Sequence, residues 1–191
     1  MKRIAAGIGT LILVSVAVCA QAQSSKPTSP PELKKLNAWI GDWVLSGTAK
    51  DKPGGPEYKV NWRLHERWIL NGFFLEVHQI WKGDGQEQRA LEILSYNSGK
   101  KIYVDSGFGS DGSKWSLTAT FQGATMIENG ETKGPDGETT KCQMTWMFRN
   151  HGTGLSGTEV CEKNGVRWKA VDVTGTKSEL RSRWLGAGKT G

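Results

Sequence analysis

Glu66, Gln79, Glu92, Glu128 and Glu159 fall on the same alternating rows as the aromatic and aliphatic residues around them. In a strand, residues two apart share a face, so these polar side chains are expected on the apolar side of whatever sheet they build. Lys163, at a strand end, is the one cation on those rows. Carboxyl groups on an apolar face are costly unless something satisfies them. A wet cavity carrying acceptors would do so, and it would suit a cationic or hydroxylated ligand. The blander account has strand bulges turning some of these acids outward, or places them in water at the ends of the fold. Paired glutamates also support acid–base catalysis, as in glycosidases. Here they are spread over several strands and form no motif that fixes their separation.

Other reactive residues offer less. His65 and His78 fall on the opposite, outward rows and His151 in a turn, with no spacing that would join two of them on a metal. No nucleophile elbow is present for Ser-His-Asp or Cys-His chemistry. Gly186-Ala187-Gly188-Lys189-Thr190 is similar to part of a phosphate loop, but Arg183 stands where the first glycine belongs and no helix can follow. The expectation is no catalytic residue, no metal and no cofactor.

Strands are needed to hold the polar rows in place, and the punctuation supplies them. Turn dipeptides occur at Asn71-Gly72, Asp84-Gly85, Ser98-Gly99, Asp111-Gly112, His151-Gly152 and Asn164-Gly165, the first four spaced by 13, 14 and 13 residues. Asn-Gly and Asp-Gly suit hairpin turns because both central positions need positive φ. Centring a hairpin on each dipeptide predicts the partners. Leu70 meets Phe73, Trp68 meets Leu75, Trp62 meets Trp81, Val77 faces Glu92 and Leu75 faces Leu94. A three-residue loop Asn97-Ser98-Gly99 pairs Leu94 with Ile102. Asp111-Gly112 pairs Phe108 with Trp115, Val104 with Ala119 and Ile102 with Phe121. One apolar face persists through the series, as a correct register requires.

The last hairpins follow the same rule. His151-Gly152 pairs Phe148 with Leu155 and sets Cys142 opposite Cys161, while Asn164-Gly165 sets Trp168 opposite Cys161. Directly opposed strand cysteines lie within bridging distance, and a disulfide is expected. Two thiols without a histidine on their face do not complete a zinc site. About ten successive strands with too few helices to cover them must bury their aromatic face by closing on themselves.

The chain has 191 residues, enough for one domain with a real core. Residues 1–22 read as a secretory signal: Lys2 and Arg3, an apolar run, then Ala20-Gln21-Ala22 as the cleavage site. Acylation at Cys19 is the alternative, weakened by Val16-Ala17-Val18 ahead of it. Residues 23–31 have linker composition, Glu32–Trp39 a short helical pattern with Leu33, Leu36 and Ile40 on one side, and residues 186–191 that of a flexible tail. The domain is expected over residues 32–185, secreted or periplasmic, with no membrane span once the signal is removed. The net charge of +6 falls to +4 when Lys2 and Arg3 leave with the signal. The remaining cations interleave with acids, which excludes a nucleic-acid footprint.

Trp39-Ile40-Gly41-Asp42-Trp43 resembles the Gly-x-Trp entry to the first strand of lipocalin-like (calycin) barrels. With Trp68-Ile69-Leu70-Asn71-Gly72-Phe73-Phe74-Leu75-Glu76 and Leu94-Ser95-Tyr96-Asn97, the pattern is similar to an uncharacterised bacterial family of secreted lipocalin-like domains. The resemblance spans roughly residues 33–175. It implies that Arg181 or Arg183 packs over the entry tryptophan, and it brings no catalytic residue. Haem-binding relatives use a histidine in the terminal strands; Val166–Val173 has none.

The expected molecule is therefore all-β, an antiparallel up-and-down barrel with a short N-terminal helix, binding a small apolar or mixed-polarity molecule. Its cavity would be lined by Trp62, Glu66, Val77, Gln79, Trp81, Glu92, Val104, Trp115, Met144, Trp146, Glu159 and Trp168. A filled barrel serving as a structural or protein-binding module is one alternative. An enzyme using Glu66, Glu92 or Glu159 as base is the other. Nothing in the sequence speaks to the oligomeric state.

Overall fold

The computed structural model describes residues 28–178. The expected signal segment, Cys19, most of the linker, the tail and both Arg181 and Arg183 lie outside the described residues. Ten antiparallel strands follow one another: β1 (Gly41–Ala49), β2 (Tyr58–Ile69), β3 (Phe74–Gly83), β4 (Gln86–Asn97), β5 (Ile102–Gly109), β6 (Lys114–Gln122), β7 (Thr125–Lys133), β8 (Thr139–Arg149), β9 (Gly154–Lys163) and β10 (Val166–Ser178). Each pairs with the next, and β10 pairs with β1, closing the barrel. Closure removes both edges and gives the aromatic face an interior to fill.

Most hairpins have the predicted register. Trp62 faces Trp81, Trp68 faces Leu75, Leu75 faces Leu94, Val77 faces Glu92, Phe148 faces Leu155 and Trp168 faces Cys161. Cys142 and Cys161 are paired across β8 and β9 and joined by a disulfide.

Strand β5 is the exception, and it turns the expected face inside out. Four residues, 98–101, separate β4 from β5, so Leu94 meets Asp105 and not Ile102. After β5, Ser110-Asp111-Gly112 forms a three-residue loop with Gly112 at φ 88°, closed by the Gly109 N–H donating to the Ser113 carbonyl at 2.8 Å. Only an unsubstituted residue adopts that left-handed position without strain. Gly107, not Phe108, therefore faces Trp115, and Tyr103, not Val104, faces Ala119. Tyr103, Asp105 and Gly107 point inward. Val104 points outward, and Phe108 is 59% exposed.

One end of the barrel is stoppered by a 3-10 segment, Pro31–Ala38, with Leu33 and Leu36 buried. The Tyr103 hydroxyl donates to the Glu32 carbonyl at 2.7 Å, and the Trp68 indole N–H to Asn37 Oδ1 at 2.9 Å. Trp39, which ends the segment, enters the barrel and is 4% exposed. Beside it Trp43 is fully buried, its indole N–H donating to the Trp39 carbonyl at 2.6 Å. Among the described residues Lys177 is a cation over the Trp43 ring, its Nζ 5.2 Å from the ring centre.

Candidate functional site

The stopper seals one end, so the inward rows leave room only beyond it. A cavity of about 280 Å³ runs from Trp39, Leu75 and Met126 toward Gln88, Gly109, Ser113 and Thr132, beside the loops of the opposite end. Two tryptophans owe their posture to the residue across the ladder. Trp115 faces Gly107, and Trp146 faces Gly157. Each ring lies over its glycine so closely that an added Cβ would come within 2.0 Å of Trp115 and 2.3 Å of Trp146. Folding the rings onto the wall keeps them out of the centre. That pairing of a large residue with none is what keeps the barrel from being filled.

Of the twelve residues expected along the cavity, ten surround it: Trp62, Glu66, Val77, Gln79, Trp81, Glu92, Trp115, Met144, Trp146 and Glu159. Val104 does not, because β5 is shifted as described. Trp168 does not either, although its register is as predicted: it sits past the cavity, half-buried, its indole N–H donating to the Lys50 carbonyl at 2.9 Å. His65 and His78 point outward, His65 Nδ1 2.8 Å from Asp42 and His78 Nε2 2.7 Å from Glu76.

Five carboxyl groups reach the interior. Glu66 comes from β2, Glu92 from β4, Asp105 from β5, Glu128 from β7 and Glu159 from β9. Glu66, Asp105 and Glu128 are buried outright; Glu92 and Glu159 are half-buried because they face the cavity. Indole N–H groups serve this ring of polar groups. The Trp62 N–H donates to Gln79 Oε1 and the Trp146 N–H to Glu128 Oε2, each at 2.9 Å. Neither oxygen of Glu66 has a hydrogen-bond partner, nor has Asp105 Oδ1 or the Trp39 indole N–H.

Their titration follows from that setting. Loss of water disfavours the charged form, and each like charge nearby adds to the effect. Burial lifts Glu66 well above the usual carboxylate range, with the Glu128 charge adding and Lys177 opposing. Burial does the same to Glu92, reinforced by Asp105, Glu128 and Glu66 and opposed by a hydrogen bond from Gln79. Glu128 is raised by burial and by the Asp105 and Glu159 charges, against the Trp146 hydrogen bond. Burial brings Asp105 to about 7 against the pull of the Trp115 indole, and Glu159 likewise to about 7. Near neutral pH Asp105 and Glu159 are thus close to their midpoints, and Glu66, Glu92 and Glu128 hold their protons more tightly than ordinary carboxyl groups.

The strand pattern itself lies within a matched family model, which spans residues 28–177. The chain belongs to that family, described as Protein of unknown function (DUF1579). The DUF1579 match runs from ahead of the 3-10 stopper into β10, so it takes in every residue of the cavity. No curated protein matches the chain.

Asp105 and Trp39 belong to the site and escape the sequence reading. Asp105 is lost with the register of β5. The signal that recovers it is the bulky-opposite-glycine rule: His151-Gly152 already sets Trp146 against Gly157, and asking the same of Trp115 selects Gly107 and turns Asp105 inward. Trp39 lies just before β1, where alternation says nothing.

Proposed function

We propose that this chain is an exported, lipocalin-like binding barrel that takes a small molecule of mixed polarity into its interior. The observation that carries the reading is the set of unpartnered oxygens on Glu66 and Asp105, both buried and both on the wall of an unfilled cavity. A buried polar atom without a partner costs on the order of 1–3 kcal/mol, which a bound donor would recover. Apolar cavities of about 150 Å³ take benzene, so 280 Å³ suits a molecule of roughly six to twelve heavy atoms. Tryptophan walls and a few polar groups are the usual composition of such a site.

The lipocalin-like assignment draws support from the closed meander, the stoppered end and the Lys177–Trp43 stack. Export draws support from the disulfide, since such bonds persist in oxidising compartments. Native mass spectrometry of protein purified from its own host is the test of binding. A retained adduct of small-molecule mass, released on denaturation, is expected. A bare mass, together with tryptophan fluorescence indifferent to small amines, alcohols and acids, would remove the binding reading. N-terminal sequencing tests export: the mature chain should begin near Gln23, and an acylated Cys19 would make the protein a lipoprotein instead.

A further inference from the structure

We infer that the interior is a site for a small organic cation, an ammonium or amidinium group carried on an apolar or aromatic body. This rests on the binding reading above and names the class of its occupant. The first ground is a mismatch of charge. Five acids face the cavity, while among the described residues Arg89 alone brings a cationic side chain to its lining set. Arg89 belongs to the rim: its side chain is 66% exposed and tied to Glu87 at 2.8 Å. Lys177, whose charge reaches Glu66, lies over Trp43 at the sealed end.

The second ground is independent of the first. Glu66 and Asp105 are 1% and 2% exposed, and their unpartnered oxygens are acceptors waiting for a donor. The third is the wall they share. Trp62 and Trp146 meet at 5.6 Å between ring centres, and indole faces attract cations more strongly than other rings do.

A bare metal ion fits poorly. Among the described residues, the one trio of potential ligands close enough to share an ion is Cys142, Glu159 and Cys161, and its two sulfurs are already bonded to each other. No three of the five carboxyls lie close enough together to share one ion. A cation with several N–H donors can reach acids on different strands.

Uptake then involves an exchange of protons. Burial holds all five acids above the ordinary carboxylate range, Asp105 and Glu159 at about 7, with like charges adding at Glu66, Glu92 and Glu128 and Lys177 opposing at Glu66. An entering R–NH3+ stabilises a carboxylate, and the carboxyl proton leaves to solvent. No covalent bond changes.

The experiment uses the full mature chain with its disulfide intact and two matched trios: 2-phenylethylamine, 2-phenylethanol and phenylacetate, then butylamine, butanol and butyrate. Calorimetry in two buffers of different protonation enthalpy reads affinity and protons together. The amines should bind at least about tenfold tighter than the alcohols near pH 8, with proton release near pH 6.5 and an advantage that shrinks toward pH 5.5. Glu66→Gln should weaken the amines about tenfold and leave the alcohols unchanged, with Asp105→Asn acting in the same direction. Should one variant not fold, the other variant and the proton count in the unaltered protein decide. Alcohols binding as tightly as amines, without proton release, would overturn the cation inference and leave the binding reading standing. Failure of both trios to bind below about 1 mM at any pH would overturn both.

Discussion

Asp105 and Glu159 give the folded protein an unusual response to pH. Most acids acquire partners on folding and titrate lower; these two lose water and titrate higher, at about 7 against 3.8 and 4.5. Between about pH 4 and 7 the folded state holds protons that the unfolded chain has already released, so stability falls as pH rises through that window. Each pKa unit is worth about 1.4 kcal/mol, which makes the full swing for Asp105 on the order of 4 kcal/mol. Thermal melts should therefore show the highest midpoint near pH 4–5 and a decline toward pH 8, and Asp105→Asn should flatten the slope. A midpoint that climbs over the same range would contradict the burial of these acids. The glycines beneath the tryptophans allow a second measurement. Gly107→Ala would set a Cβ 2.0 Å from the Trp115 ring, which must then swing into the cavity. Overpacking of this kind costs about 1–3 kcal/mol. Urea unfolding should register that loss, whereas a neutral Gly107→Ala would mean that Trp115 has free room.

At the scale of elements, register was legible wherever a loop is symmetric about its dipeptide. Asp84-Gly85 and Asn164-Gly165 are two-residue turns with both φ values positive. Asn71-Gly72 and His151-Gly152 sit at the centre of four-residue loops, which leave partner positions unchanged. Odd-length loops break the rule, since Ser110-Asp111-Gly112 displaces the ladder by one. The loop before β5 differs from expectation by an odd number too, so the two shifts cancel in parity and β6 keeps its face. β5 is inverted along its whole length, and with it Val104 and Asp105 exchange roles, while β10 changes face at a bulge between Lys169 and Val171. The cavity was less legible than the strands. Alternation says which side chains point inward but not whether they meet, and that depended on Trp115 and Trp146 folding over glycines. The disulfide offers a test at this scale. It closes a sequence separation of 19 residues between β8 and β9. Chain entropy puts its stabilisation on the order of 3 kcal/mol. Denaturation with and without reductant should differ by about that amount, and an unchanged midpoint would mean that the reduced chain is already constrained.

For the whole molecule, the decisive ladder joins the first strand to the last. Asp42 pairs with Ser178 and Ala49 with Val171. A chain ending at Gly165 lacks β10 and leaves β1 and β9 with open hydrogen-bonding edges and an uncovered aromatic face. Such a chain should aggregate, and size-exclusion chromatography showing a folded monomer would refute the role of closure. The same ladder also orders events in time. Every hairpin can form as soon as its own two strands exist, but β1 has to wait, unmatched on one side, until β10 has been made. Proteins dominated by such distant pairings fold in milliseconds to seconds, well behind the microseconds of a single hairpin. The nascent molecule is thus an open ribbon for most of its synthesis. Its interior, acids included, comes into being all at once when the final strand docks.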